Sequence, residues 1–273
     1  MRLVVVYSVA ALAATLALCG MGLASAELES DGPALTEATP AATEGDSAAL
    51  ADSPTPSETS NGAATVRHLL LFSGADVWRN GAFMHGGLLY AYQGLNQDGP
   101  VFKLLLNGGL YRFHSRASEI MGRQAMVAAL PGWRWNGPGL ELTVFAGLDV
   151  QDHRYTPDDP GNRLRATHLG ARGGFDIWYE PFSDWMVTGS ASLSIIGRSY
   201  WTRAAAGRRF FDAIWLGPEF HAAGDDTYRQ LRFGAHVTSL RIGGYEWSAG
   251  AGWVTDSDRR DGVYGRVGVL VRR

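Results

Sequence analysis

Residues 139–152 alternate without a break. Leu140, Leu142, Val144, Ala146, Leu148 and Val150 form one row, and Glu141, Thr143, Phe145, Gly147, Asp149 and Gln151 form the other. Successive side chains of a strand point to opposite faces, so this pattern predicts a strand with one continuous apolar face. The same period of two returns further along. In 186–196, Thr188, Ser190, Ser192 and Ser194 oppose Val187, Ala191, Leu193 and Ile195. In 230–238, Gln230, Arg232, Gly234, His236 and Thr238 oppose Leu231, Phe233, Ala235 and Val237. In 263–271, Tyr264, Arg266 and Gly268 oppose Val263, Val267, Val269 and Val271. In 245–253, Tyr245, Trp247, Ala249, Ala251 and Trp253 oppose Glu246, Ser248, Gly250 and Gly252, which puts aromatic rings at both ends of an apolar row.

Turn-forming clusters separate these segments: "RNG" at 79–81, "NQDGP" at 96–100, "NGPG" at 136–139, "PDDPGN" at 157–162, "AGDD" at 223–226, "IGG" at 242–244 and "SDRRDG" at 257–262. Ten to twelve strands result, over about 69–78, 82–93, 101–113, 120–134, 140–151, 164–178, 186–197, 208–222, 227–241, 245–255 and 262–272, with room for another over 199–206. No helix of ordinary length and no repeat of fixed period is apparent.

The character of the polar rows decides which face is inside. A soluble sandwich would turn its apolar rows inward and carry Lys, Glu and Thr outside. Here the polar rows carry Gly, Ser, Arg and carboxylates, and Lys103 is the one lysine of the chain. A transmembrane barrel inverts the arrangement: apolar rows meet lipid, polar rows fill the lumen and aromatic girdles mark the interfaces. Strands of ~9–11 residues cross the bilayer. The 35 Gly, 9 Trp and 10 Tyr suit that arrangement. The expected fold is therefore an all-β antiparallel up-and-down transmembrane barrel of about 10–12 strands, in the outer membrane; a periplasmic or secreted sandwich is the alternative. The last residues, "VGVLVRR", lack the terminal aromatic residue with which such barrels often end.

Composition adds the organisation around that domain. Arg2 precedes "LVVVYSVAALAATLALCGMGL" and then Ala24-Ser25-Ala26, which reads as a secretory signal over 1–26 cut before Glu27, an uncleaved anchor being the alternative. Cys19 is the only cysteine, and Leu18 before it is bulky where a lipoprotein signal wants a small residue. Cleavage at Ala26 leaves no cysteine for disulfides or thiolate metal sites. Residues 27–66 hold eight acids and no Lys or Arg among Ala, Ser, Thr and Pro. Such a stretch cannot bury enough apolar surface to offset its ordering entropy, so it is expected to be a disordered spacer, or else an acidic docking arm. The barrel domain then occupies 67–273. With mean hydropathy of −0.08 the chain is too polar for a helical membrane protein.

Several stretches resemble the cellulose biosynthesis protein BcsS family: "FSGADVWRNGAFMHGGLLYA" (72–91), "LPGWRW" (130–135), "VFAGLDVQDHRYTPDDPGNRLRATHLGARGGFDIWYEP" (144–181), "SYWTRAAAGRRFF" (199–211), "LGPEF" (216–220), "YRQLRFGAHVTSLR" (228–241) and "WSAGAGWVTDSDRRDGVYGRVGVL" (247–270). The resemblance implies a cell-envelope protein that assists production or export of bacterial cellulose, an exopolysaccharide. It implies no catalytic mechanism. Cellulose-synthase components, glucan and outer-membrane lipid are the partners it suggests.

Two polar groupings are candidate sites. Glu141, Asp149, Arg172, Asp176, Glu219, His221, Arg232, His236, Glu246 and Arg266 fall on lumen rows, either as a self-satisfying plug or as a narrow path for a small solute. Asp152, His153, Asp158, Asp159 and Asn162 offer oxygen ligands close in sequence, for a cation or a sugar, although Pro157, Pro160 and Gly161 also mark the stretch as a turn. A lipid-cleaving enzyme would need a nucleophile and a base at one rim, drawn from His168, His221 or His236 with Ser190–Ser194 or Ser239. Neither a G-x-S-x-G nor an H-E-x-x-H motif marks them. Trp133, Trp135, Tyr200 and Trp201 are girdle residues or sugar-stacking platforms. Basic residues are interleaved with acids and the expected compartment is the envelope, so nothing points to a nucleic-acid surface, and no cofactor or metal is called for.

Overall fold

The computed structural model describes residues 66–115, 118–211 and 213–273. The expected signal sequence and acidic spacer lie outside these residues. Twelve strands follow one another in chain order: β1 (Leu69–Trp78), β2 (Gly81–Ala91), β3 (Gly99–Ser115), β4 (Ser118–Gly137), β5 (Leu140–Thr156), β6 (Ala166–Phe182), β7 (Trp185–Ser194), β8 (Tyr200–Phe210), β9 (Ile214–Gly224), β10 (Arg229–Ile242), β11 (Tyr245–Asp256) and β12 (Gly262–Arg272). Each pairs antiparallel with its neighbours, and β1 pairs with β12 from Leu70↔Arg272 to Trp78↔Tyr264, which closes the barrel. Closure leaves no edge strand, the condition for a sheet to sit in lipid.

The rows take the sides that the barrel pattern predicts. On β5, Val144, Leu148 and Val150 are exposed, Leu148 to 62%, while Thr143, Phe145, Asp149, Gln151 and His153 are buried inside. Val187 and Leu193 on β7, Leu231 and Phe233 on β10, and Val263 and Val267 on β12 are likewise exposed. An apolar exterior over polar buried rows is the reverse of a soluble sandwich and matches a lipid-facing wall. Tyr90, Trp133, Trp135, Tyr179 and Trp185 are exposed near the strand ends that share a rim with the chain termini. They form a girdle there, and Trp253 contributes towards the other rim.

The rim that carries the termini has tight connections at 138–139, 183–184 and 243–244, where Gly139, Gly243 and Gly244 supply positive φ. The same rim also carries the connection 92–98; the opposite rim carries the longest loop, 157–165, with the connections 195–199, 225–228 and 257–261. Outer-membrane barrels keep short turns on the periplasmic side and long loops outside, so the loop-bearing rim faces out.

Three details differ from the sequence expectation. Residues 200–210 form the full strand β8, and β9 begins at Ile214 instead of near 208. Their turn contains neither Gly nor Pro; Phe211 takes φ 54° and Ala213 N–H donates to the Phe210 carbonyl at 3.1 Å. Strand β7 stops at Ser194, because a 3-10 turn at Ile196–Arg198 with positive φ at Gly197 and Arg198 redirects the chain. Strands β3 to β6 run 17 to 20 residues, longer than a bilayer requires, and carry the wall beyond it.

Gly147 shows why glycine recurs on the inner rows: a Cβ there would lie 2.1 Å from the Ala129 carbonyl oxygen across β4. Ala146, its outward neighbour in the middle of the β5 row, tests the lipid assignment. Ala146→Arg is expected to lower folding stability in lipid vesicles by ~2–4 kcal/mol, as midplane arginines do. Equilibrium denaturant titration of vesicle-folded protein measures it, and an unchanged midpoint would place that row away from the bilayer core.

Candidate functional site

All ten lumen residues named from the sequence fall on inward rows, and the structure distributes them among several ion pairs rather than one centre. Arg134 Nη2 donates to Glu141 Oε2 at 2.6 Å near the periplasmic rim. Lys103 Nζ donates to Asp176 Oδ2 at 2.6 Å, and its ammonium lies 4.2 Å from the centre of the Phe145 ring. Arg172 Nε donates to Asp149 Oδ2 at 3.0 Å, and Gln151 Nε2 donates to the same oxygen at 2.8 Å. Arg232 Nη1 reaches across to Asp76 Oδ1 at 2.9 Å. Arg272 Nη1 donates to Glu246 Oε2 at 2.6 Å.

Glu219 is the most heavily partnered of the set. Its side chain is fully buried. Arg266 Nη2 donates to Oε2 at 2.6 Å, Arg203 Nη2 to the same atom at 3.1 Å, and the Tyr264 hydroxyl to Oε1 at 3.0 Å. His221 Nε2 lies 3.5 Å from Oε2. Gly250 makes room for this arrangement, since a Cβ there would stand 2.1 Å from Glu219 Oε1. The donors come from β8 and β12 and the carboxylate from β9, so the cluster ties together strands that do not all pair with one another.

Aromatic residues then fill the outer part of the lumen. Trp78, Tyr111, Phe113, Tyr155, Tyr228 and Tyr264 pack in one buried cluster with Ile120, Leu164, Ile196 and Val254. Tyr111 on β3 meets Tyr228, from the loop beyond β9, with ring centres 5.3 Å apart, a contact between opposite walls of the barrel. Trp78 Nε1 donates to the Tyr228 hydroxyl at 3.3 Å, and that hydroxyl donates to Asp256 at 3.3 Å. Asp225 holds the loop by accepting from Thr227 N and Tyr228 N at 2.6 and 2.9 Å. Burial pushes the Asp225 carboxyl above the ordinary carboxylate range, against the opposing effect of these two donors.

The second candidate grouping does not come together as one cluster. Alternation sends Asp152 and His153 to opposite faces of β5: Asp152 accepts from Arg154 and Thr167, while His153 Nε2 lies inside, 3.1 Å from Gln151 Oε1. Asp158 pairs with Arg165 at 2.8 Å. Only Asp159 and Asn162 share a depression, described below. Among the described residues no group of three or more His, Cys, Asp or Glu is placed to hold a metal ion.

The histidine–serine sets are also separated by their partners. His236 Nδ1 lies 2.9 Å from Thr238 Oγ1, His168 Nε2 lies 3.2 Å from the Arg165 carbonyl, and Ser192 and Ser194 serve Arg172 and Asp149. Trp133 and Trp135 point outward in the girdle. Trp201, by contrast, stands opposite Ser192 on an inward row, with its ring centre 6.3 Å from that of His221. Asp76, Lys103, Arg134, Arg203 and Tyr264 are partners that the sequence reading did not assign to the lumen network. For Asp76 the signal was present, since Phe72, Gly74, Asp76 and Trp78 alternate on β1. Arg203 was hidden because its strand was only loosely marked.

A closed barrel with an apolar outer wall, an aromatic girdle and an ion-paired interior is an outer-membrane β-barrel. Within that class, the chain belongs to the cellulose biosynthesis protein BcsS family, whose family model matches residues 70–273. No curated protein shows significant sequence similarity to it. Solved structures with a similar fold include the KdgM porin, at 10% identity over 74% of this chain and 98% of that one with a TM-score of 0.41. The β domain of the Bordetella autotransporter BrkA has 14% identity over 76% and 98%, with a TM-score of 0.44. LpxR from Salmonella typhimurium has 10% identity over 74% and 99%, with a TM-score of 0.42. Likeness at this level assigns no activity.

Glu219→Gln removes the buried charge that two partly buried arginines share. Loss of one partner from a buried ion pair costs ~3–5 kcal/mol. The variant is expected to unfold at clearly lower denaturant concentration, and to lose its heat-resistant gel migration at lower temperature than the parent. Retention of the parent midpoint would show that the arginines find other partners.

Proposed function

We propose that the protein is a non-catalytic accessory of cellulose production or export, held in the outer membrane, where it anchors or organises the export apparatus. Membership of the family supplies the link to cellulose. The observation that supports a non-conducting role is a set of contacts inside the barrel: Tyr111 touches Tyr228 across the outer mouth, and Glu219, Asp149 and Asp76 are each bound by arginine. A glucan chain would have to displace both layers. Wide aqueous channels belong to barrels of ~16 or more strands, and this one has twelve. Cellulose-synthase components and the glucan itself are the partners this role implies.

A deletion strain is expected to make less cellulose, or cellulose less firmly attached to the cell, and a plasmid-borne copy to restore it. Complementation by His168→Ala, His221→Gln or His236→Gln copies that reach the outer membrane is expected to be as complete as by the parent. Failure of one of these well-assembled variants would favour an enzyme, and parent-like cellulose in the deletion strain would remove the cellulose role. In planar bilayers the purified protein is expected to give no discrete conductance steps; regular steps would favour the small-solute channel.

A further inference from the structure

The 157–165 loop does more than join β5 to β6. Leu164 enters the aromatic cluster beside Ile196, and Asn162 Nδ2 donates to Thr227 Oγ1 at 3.3 Å, so the loop reaches over the mouth to the β9–β10 connection. Asn162 Oδ1 in turn accepts from Leu164 N at 3.0 Å, which fixes the inner end of the loop. On top of this cover lies an open depression of about 460 Å³, within the ~300–1,000 Å³ typical of small-molecule sites. Its wall comes from three separate elements: the end of β3, the 157–165 loop and the 225–228 connection.

The groups it offers are polar donors and acceptors of both charge signs. Asp159 and Arg163 line the depression, and neither side chain has a hydrogen-bond or ion-pair partner among the described residues. The His114 ring is half-exposed and held in place: its Nδ1 lies 3.2 Å from Asp258 Oδ2, and its backbone N–H donates to the same oxygen at 2.8 Å. Asp226 lines the other side, paired with Arg198 at 2.6 Å. Among the described residues, the depression thus presents an unpaired carboxylate acceptor, an unpaired guanidinium with several donors, a fixed flat ring and hydroxyls from Ser115 and Thr227. Asp159 offsets Arg163 and Asp226 is already matched by Arg198, so the described lining carries no excess positive charge to select an anion. A neutral polyhydroxylated chain, with alternating donors and acceptors and a flat apolar ring face, matches this set.

We propose that this outer depression binds a short stretch of β-linked glucan and holds the polymer at the cell surface. The choice of β-glucan among neutral saccharides rests on the cellulose role proposed above. The site is separate from the lumen network, and the loop that builds it is also the loop that covers the mouth.

Titration calorimetry of the detergent-purified full-length protein with cellohexaose tests it, with maltohexaose as the control. The parent is expected to bind cellohexaose in preference to maltohexaose. The pair Asp159→Ala/Arg163→Ala is expected to weaken binding at least about tenfold, since hydrogen bonds to charged groups are the stronger ones. Both proteins should keep heat-shifted gel migration. If the pair does not assemble, Asp159→Asn alone keeps the side-chain shape and is expected to weaken binding measurably. Cellohexaose bound no better than maltohexaose, parent-like binding by an assembled variant, or heat evolved only with added calcium would each overturn the proposal. A protein that restores cellulose in the deletion strain yet binds no glucan would overturn this site while leaving the accessory role intact.

Discussion

The hydrogen bonds between β1 and β12 are the constraint on which the rest of the molecule depends. Lipid offers no partner to a backbone N–H or C=O, so a sheet can cross it only when its two edges meet. Ladder pairing from Leu70↔Arg272 to Trp78↔Tyr264 makes that meeting. Once the sheet is closed, alternation has only one consistent assignment. Val144, Leu148, Val187 and Val267 face hydrocarbon, and every charge on the opposite rows must find a partner inside.

The interior meets that demand by direct pairing. Buried carboxylates and guanidinium groups are costly to desolvate alone, and pairing offsets the cost only when the geometry satisfies the remaining donors and acceptors. Asp149, Glu219 and Asp76 show this with arginine, glutamine, serine and tyrosine donors grouped around them. The preference for arginine over lysine, visible in the single Lys103 of the chain, follows from the forked guanidinium that can serve a carboxylate with two N–H groups. These pairs also tie non-adjacent strands, and the aromatic cluster with its covering loop packs across the outer end.

Much of this was legible in the sequence because both signals are local. Period-two alternation marks strand, face and register at once, and the ten polar positions picked from it all lie on lumen rows. Their partners were harder to see. Arg203 sits on β8, whose turn at 211–213 lacks a Gly or Pro, and Tyr264, although on the polar row with Arg266, carries no charge to mark it as a partner until the closed barrel brings it to Glu219. The loop grouping is dispersed for a plain reason: Asp152 and His153 continue the strand, so alternation parts them, and of the three that belong to the turn Asp158 is paired with Arg165, leaving Asp159 and Asn162 at the depression. Phe145 also broke the polar-row rule, because the lumen is narrow enough for a ring to pack beneath Lys103.

The assignment of faces is the claim on which the account rests, and adjacent residues on β7 can test it. The described barrel contains no cysteine, so single nitroxide labels can be placed at Val187→Cys and Thr188→Cys in vesicle-embedded protein. Val187 points outward and Thr188 into the lumen, where its hydroxyl donates to the Ile177 carbonyl at 3.0 Å. The account predicts that the Val187 label collides readily with membrane-dissolved oxygen and little with a water-soluble nickel chelate, and that the Thr188 label shows no such preference for oxygen. A Val187 label shielded from both relaxants, beside a Thr188 label freely reached by the chelate, would mean that the apolar rows form a protein core and would contradict the barrel in lipid.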